Sequence, residues 1–85
     1  MQRYSVTETQ LNTNGAIGHI SLDHGTDEAG AKSHYYMALA SGLASGLIAV
    51  TVSLTMMDDT TGNSYTMSEK VNGTGVLSIE GGTNE

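Results

Sequence analysis

The sequence predicts one mainly β domain, spanning residues 1–85, with a single helix and the order β-β-α-β-β-β. Two observations support this prediction. Several stretches alternate apolar and polar side chains with a period of two, which is typical of half-buried strands. In addition, residues 35–57 carry no charged side chain, and their periodicity changes partway along. The expected architecture is a small barrel or a strongly bent antiparallel sheet.

The N-terminal residues 3–22 predict a β-hairpin. In RYSVTETQ, Tyr4 and Val6 alternate with polar side chains, and AIGHISLD repeats the pattern. Between the two stretches, Asn14-Gly15 accepts the positive φ angles of a tight turn. The two strands are therefore expected to pair with each other.

A helix is predicted to follow the hairpin. Thr26 can cap the first turn, and the carboxylates of Asp27 and Glu28 suit the positive end of a helix dipole. Gly46 is the expected end of the helix. Apolar side chains spaced by three and four residues predict its buried stripe. This stripe comprises Tyr36, Leu39, Ala40, Leu43 and Leu47.

Beyond Gly46 the period becomes two, which predicts a central strand. Its apolar positions are Ile48, Val50, Val52, Leu54 and Met56. The sequence then predicts a turn in DDTTGN, a returning strand in SYTMSEKV, a second turn in NGTG and a short last strand in VLSIE.

The uncharged residues 35–57 also suggest a membrane helix, because their length matches a bilayer and Gly42 and Gly46 form a GxxxG pair. Against this stand the change of period and the lack of a basic flank. We therefore expect no membrane contact, and Gly42 and Gly46 are interpreted as a small-residue face for close packing. MQRYSVTETQ lacks the pattern of a secretory signal, so the expected localisation is cytoplasmic.

Composition narrows the functional classes. Three basic residues face nine acidic ones, and the net charge of −6 repels nucleic acid unless a local pocket outweighs it. Without cysteine there is no disulfide and no thiolate metal site. The chain also lacks Phe and Trp, so its own core is thin, and apolar burial between identical subunits is expected.

No catalytic or metal signature stands out. Five potential ligands lie around the loop before the helix, but their spacing matches no established site and favours a polar, capping loop. They are His19, Asp23, His24, Asp27 and Glu28, of which the first three are the candidates if a metal binds. GLASG differs from the GxSxG nucleophile elbow, and Asp58-Asp59 suits a turn better than acid/base catalysis. The expectation is a protein that is not an enzyme and uses no cofactor.

Two C-terminal pieces resemble the Sm/LSm family of small β-barrels, which assemble as rings and bind RNA. Residues 59–63, followed by SYTM, are similar to the family's Asp-x-x-x-Asn spacing before an apolar strand. VLSIEGGT at 76–83 is similar to a strand ending in the family's Ile-Arg-Gly-Asn type of turn. The resemblance implies an Sm-like barrel that forms rings or other homo-oligomers as a binding or scaffold protein, with RNA as its ligand. The implied RNA-binding residues are Asn63, Tyr65, Gly81 and Gly82.

The chain departs from that family at Glu80, which stands where the family carries arginine and therefore removes a phosphate contact. An alternative resemblance is the α+β fold of the ubiquitin-like β-grasp, with a hairpin, a helix, further strands and Gly81-Gly82 near the end. That likeness implies a carrier, which would need trimming of residues 83–85. A small accessory protein of phage type, which contacts other proteins and no nucleic acid, is a further alternative.

Overall fold

A computed structural model of the protein describes residues 1–73, and it contains four strands and one helix. The prediction of a small, mainly β fold with one helix is confirmed. The predicted last strand, VLSIE, lies outside the described residues. The elements are β1 (Gln2–Leu11), β2 (Ile17–Gly25), α1 (Glu28–Leu43), β3 (Ala49–Asp58) and β4 (Ser64–Val71).

The four strands form one open antiparallel sheet in the order β2-β1-β3-β4. The predicted N-terminal hairpin is β1 paired with β2, and SYTMSEKV is β4. The helix connects the outer strand β2 to β3, which returns alongside β1 with Val6 opposite Leu54. Within residues 1–73 the sheet is open. Of the two predicted architectures, a barrel and an antiparallel sheet, these residues form the sheet.

The two faces of the sheet differ because side chains alternate along each strand. One face packs against α1 and contributes the buried side chains of Tyr4, Val6, Val50, Val52 and Leu54. The other face carries mainly Ser and Thr, several of them hydrogen-bonded across strands. We call it the hydroxyl face; it comprises Ser5, Thr7, Thr9, Ser21, Thr51, Ser53, Thr55, Thr66 and Ser68.

The helix face that packs on the sheet differs from the predicted stripe. Tyr36 and Leu43 are exposed, at 59% and 47%. The reason is that small residues allow the helix backbone to approach the sheet: a Cβ added at Gly42 would lie 2.8 Å from Cγ2 of Val71. The buried side is Ala31, Tyr35, Ala38, Leu39 and Gly42.

The N-cap of α1 is Asp27, one residue beyond the predicted cap Thr26. The carboxylate of Asp27, not the hydroxyl of Thr26, accepts a hydrogen bond from the N–H of Gly30, at 2.9 Å. In the first turn Lys32 Nζ lies 2.7 Å from the carboxylate of Glu28, and this hydrogen bond lowers the pKa of Glu28. The helix ends at Leu43, before the predicted stop at Gly46.

Both hairpin turns contain a glycine with positive φ. In the first, Gly15 has φ 88°, whereas no non-glycine residue within residues 1–73 has a positive φ. Asn14 therefore contributes through its side-chain oxygen, which accepts a hydrogen bond from the N–H of Ala16. In the second, Gly62 has φ 78°. There the carboxylate of Asp58 accepts backbone N–H groups of the turn, which lowers its pKa and confirms Asp58 as a turn former.

The uncharged residues 35–57 divide into the end of α1 and most of β3. No helix within residues 1–73 has both the length and the apolar character required to cross a bilayer. Gly42 packs against the sheet, whereas a Cβ at Gly46 would meet no atom within 4 Å. Of the GxxxG pair, therefore, only Gly42 marks a close approach.

Candidate functional site

A surface pocket of about 300 Å³ lies at the end of the sheet where β1 begins and β4 starts. Its lining residues are Gln2, Met56, Asn63, Ser64 and Tyr65. Asn63 and Tyr65 belong to the predicted RNA-binding set, and the structure brings these two together. The other two predicted residues, Gly81 and Gly82, lie outside the described residues.

The β3–β4 hairpin positions the pocket. The C=O of Asn63 accepts the N–H of Asp58 at 2.9 Å, which fixes the residue at the end of the turn. Tyr65 lies directly opposite Met56 in the strand pair, and its side chain is 60% exposed. The pocket therefore combines a thioether and an aromatic ring with the amide groups of Asn63 and Gln2. Such a set can hold a planar heterocycle, stacked on the ring and hydrogen-bonded at its edge.

The charges near this pocket are paired with each other. Asp59, next to the turn, lies 3.0 Å from the amino group of Met1 and 3.2 Å from Nε of Arg3. Hydrogen bonds from these two groups lower the pKa of the Asp59 carboxyl. Because Arg3 already contacts a carboxylate, it would have to give up that ion pair to contact a phosphate. The pocket can therefore recognise a base better than a phosphate.

A second polar cluster joins side chains of β1, β2 and α1 between the helix and the sheet. His24 Nε2 lies 2.8 Å from His34 Nδ1, and His34 Nε2 lies 3.3 Å from a carboxylate oxygen of Glu8. The His34 and Glu8 side chains are largely buried, at 23% and 17% exposed. Since two imidazole nitrogens form one hydrogen bond, one ring donates and the other accepts.

No sequence pattern predicts this cluster. His24 lies at a β-bulge, where Tyr4 pairs with Gly25 and the next residue of β1 pairs with Asp23, so His24 is the extra residue. The signal available in the sequence was that His24 shares a face with Leu22. The periodicity of the sequence does not show which side of the helix contacts that face of the sheet.

The three metal candidates do not converge. His19 points to the hydroxyl face and hydrogen-bonds Thr9 at 3.1 Å, and the carboxylate of Asp23 accepts the N–H of Gly25 at 2.8 Å. His24 turns instead to the helix. Within residues 1–73 no group of three or more His, Cys, Asp or Glu side chains is arranged to hold a metal ion.

The outer strand β2 presents exposed apolar side chains. Ile20 and Leu22 lie on the sheet face that carries α1, yet each is 51% exposed. Their exposure follows from the position of the helix, which lies mainly over β1 and β3. In the described part of the chain, β2 pairs with β1 alone.

The chain matches no protein-family model, and neither a curated protein nor a solved structure is significantly similar to it. The Sm/LSm and β-grasp resemblances therefore stay predictions. The functional proposal depends on the geometry of this chain.

Proposed function

We propose that the protein is a non-enzymatic, homo-oligomeric binding or scaffold protein whose ligand is single-stranded RNA. The observation that carries the proposal is the pocket at Tyr65. An exposed aromatic ring beside amide side chains suits an unstacked base, which can stack on the ring while Asn63 and Gln2 hydrogen-bond its edge.

Electrostatics determines what kind of binding to expect. The chain has a net charge of −6, and Arg3 is paired with Asp59, so phosphate contacts contribute little. A base stacked on an aromatic ring contributes about 1–3 kcal/mol. Each phosphate neutralised on a single strand would steepen the salt dependence of log K by about 0.7. We therefore expect weak binding per subunit and a shallow salt dependence.

The homo-oligomer part of the proposal rests on the thin core and on the exposed apolar side chains of β2. The buried hydrophobic set of the described residues contains no side chain larger than Leu except Tyr4 and Tyr35. Ile17, Ile20 and Leu22 meanwhile stay accessible on one strand. Several subunits that present one weak base pocket each would bind a strand with higher avidity than one subunit.

The test is fluorescence anisotropy with labelled oligo(U) and oligo(A) at salt concentrations of about 50–200 mM. Tyr65→Ala should weaken binding by about 5- to 150-fold, and Tyr65→Phe should retain it because the ring remains. Tyr36→Ala is the matched control, since Tyr36 is 59% exposed on the helix and Tyr65 is 60% exposed.

Absence of wild-type binding at low salt would overturn the RNA part of the proposal. If the protein is nevertheless an oligomer, the alternative of a small accessory protein that contacts other proteins would explain it better. Equal losses for Tyr36→Ala and Tyr65→Ala would place the contact elsewhere than in the pocket.

A further inference from the structure

Of the two outer strands of the described sheet, β2 has the less protected edge. Its residues 17–22 carry no Asp, Glu, Lys, Arg or Pro, whereas β4 contains Glu69 and Lys70. Charged residues, lysine above all, are a common means of preventing strand-to-strand association at a sheet edge. An uncharged edge with exposed Ile20 and Leu22 is therefore suited to pairing with another strand.

The hairpin geometry shows which backbone groups of β2 are available. The N–H of Asn12 donates to the C=O of Ala16 at 2.9 Å, so these opposite residues form a hydrogen-bonded pair. Hydrogen-bonded and non-hydrogen-bonded pairs alternate along an antiparallel ladder. Gly18, Ile20 and Leu22 therefore direct their backbone groups toward β1, and the residues between them direct theirs outward. The outward set is Ile17, His19, Ser21 and Asp23.

The side chains select one register for pairing with a second copy. With a two-fold axis at Ser21, His19 lies opposite Asp23 of the second copy on the hydroxyl face. On the helix face, Ile20 lies opposite Leu22 of the second copy, so the exposed apolar side chains cover each other. A hydrogen bond from the imidazole to the carboxylate and an apolar pair directly across a ladder both stabilise the pairing.

The neighbouring two-fold registers lack these contacts. An axis at His19 would place two imidazoles opposite each other and would leave Ile20 facing Gly18. An axis at Asp23 would oppose two carboxylates, which is destabilising. An axis at Ile20 would pair His19 with Ser21 and would leave Leu22 facing Gly18, and an axis at Leu22 would pair Ser21 with Asp23 and would leave Ile20 facing His24. Neither register gives the His19–Asp23 contact or pairs both exposed apolar side chains with apolar partners. Of these five centres, Ser21 is thus the one that provides both.

We propose that two copies of this chain associate through antiparallel pairing of their β2 strands about a two-fold axis at Ser21. The inference rests on the homo-oligomer part of the proposed function and gives that oligomer its interface. Two four-stranded sheets become one continuous sheet. One strand pair is a small contact, so we expect a dimer that dissociates at micromolar concentrations.

Disulfide trapping provides the first test, because the chain has no cysteine of its own. Residues in a hydrogen-bonded antiparallel pair have Cα atoms about 5.5 Å apart, within the range that a disulfide bridges. Ser21→Cys should therefore give a covalent dimer on a non-reducing gel after mild oxidation. Thr66→Cys is the matched control, since it lies on the same face in the other outer strand and should stay monomeric on that gel.

The second test measures the dissociation constant by light scattering on size-exclusion peaks over a concentration series. Leu22→Lys should raise it at least about tenfold, since two lysines would enter the apolar contact. Leu43→Lys is the control and should leave the constant unchanged, because Leu43 is similarly exposed, at 47%, but lies on the helix.

The outcomes separate the two proposals. A wild-type protein that is monomeric throughout the series overturns both the homo-oligomer and the β2 interface. An oligomer in which Ser21→Cys fails to cross-link, or in which Leu22→Lys associates like the wild type, overturns the β2 interface and leaves the homo-oligomer standing.

Discussion

Replacing Gly42 with alanine tests how closely the helix packs on the sheet. A Cβ at this position would lie 2.8 Å from Cγ2 of Val71 and 3.1 Å from Cβ of Val50. Carbon atoms that do not share a bond prefer about 3.5–4.0 Å. Val50 is 1% exposed in β3, and the χ1 angle of valine is restricted, so neither neighbour can easily turn away. The helix must therefore shift outward.

The expected magnitude combines two opposing effects. Overpacking a well-packed site costs about 1–3 kcal/mol. Alanine in a helix interior gains about 0.8–1 kcal/mol over glycine. We therefore expect Gly42→Ala to lower the free energy of unfolding by about 1 kcal/mol, and by about 2 kcal/mol at most.

Urea unfolding followed by circular dichroism measures this change, and the midpoint should fall while the slope m stays constant. The melting temperature should fall by about 4–8 °C per kcal/mol. Gly46→Ala is the matched control, because a Cβ there meets nothing within 4 Å. A Gly42→Ala protein that gains the full helix preference of alanine, about 0.8–1 kcal/mol, would refute the close helix–sheet approach, because overpacking would then cost nothing. Equal losses in both variants would show that the contact is not the cause.

Two further substitutions test the polar contacts. His34→Ala leaves the largely buried carboxylate of Glu8 without this partner, so we expect the free energy of unfolding in urea to fall by about 1–3 kcal/mol. The control Ser33→Ala, on the exposed side of the helix, should cost about 0.5 kcal/mol or less. Similar losses for the two variants would contradict a stabilising cluster. Because Met1 and Arg3 lower the pKa of Asp59, its contribution to stability is present above about pH 4 and disappears as the pH falls through the lowered pKa of the folded state. Asp59→Asn should therefore lower stability at neutral pH and flatten the fall in stability below about pH 4, and a stability–pH curve parallel to that of the wild type would argue against this ion pair.

The strands could be predicted from the sequence because each follows a period-two pattern with β-branched residues. In β3, Val50, Val52 and Leu54 alternate with hydroxyl side chains, and the structure buries these three. The hairpin turns were marked by glycines whose positive φ is a local property of the chain. These features depend on neighbours in sequence, so local patterns suffice to find them.

The buried face of α1 could not be predicted in the same way. The pattern correctly placed Leu39 on the buried side, but it also favoured Tyr36, whereas the structure buries Tyr35 and the small residues Ala38 and Gly42. Which side of a helix lies closest to a sheet depends on the whole interface, and small residues allow the closest approach. Hydrophobicity alone does not encode that choice.

The candidate site was predictable only in part. Asn63 and Tyr65 were identified through a family resemblance, but Gln2 and Met56 join them only because β1, β3 and β4 are neighbours in the sheet. The His24–His34–Glu8 cluster likewise depends on a β-bulge and on the side of the sheet that the helix covers. Both sites are products of strand order and register, which short motifs do not specify.

The hydroxyl face limits the ways in which copies of this sheet can associate. Sandwich folds arise when two sheets bury apolar faces against each other, and a face of Ser and Thr side chains bonded to one another offers little to bury. The proposed association through β2 would instead widen the sheet within its own plane, with both helices on one face and the hydroxyl side chains of both copies on the other. Among the described strands, the outer ones of such a pair would be the two copies of β4, whose Glu69 and Lys70 discourage further strand pairing. The pair would then present two helices on one face, hydroxyl side chains on the other, and one Tyr65 pocket on each half.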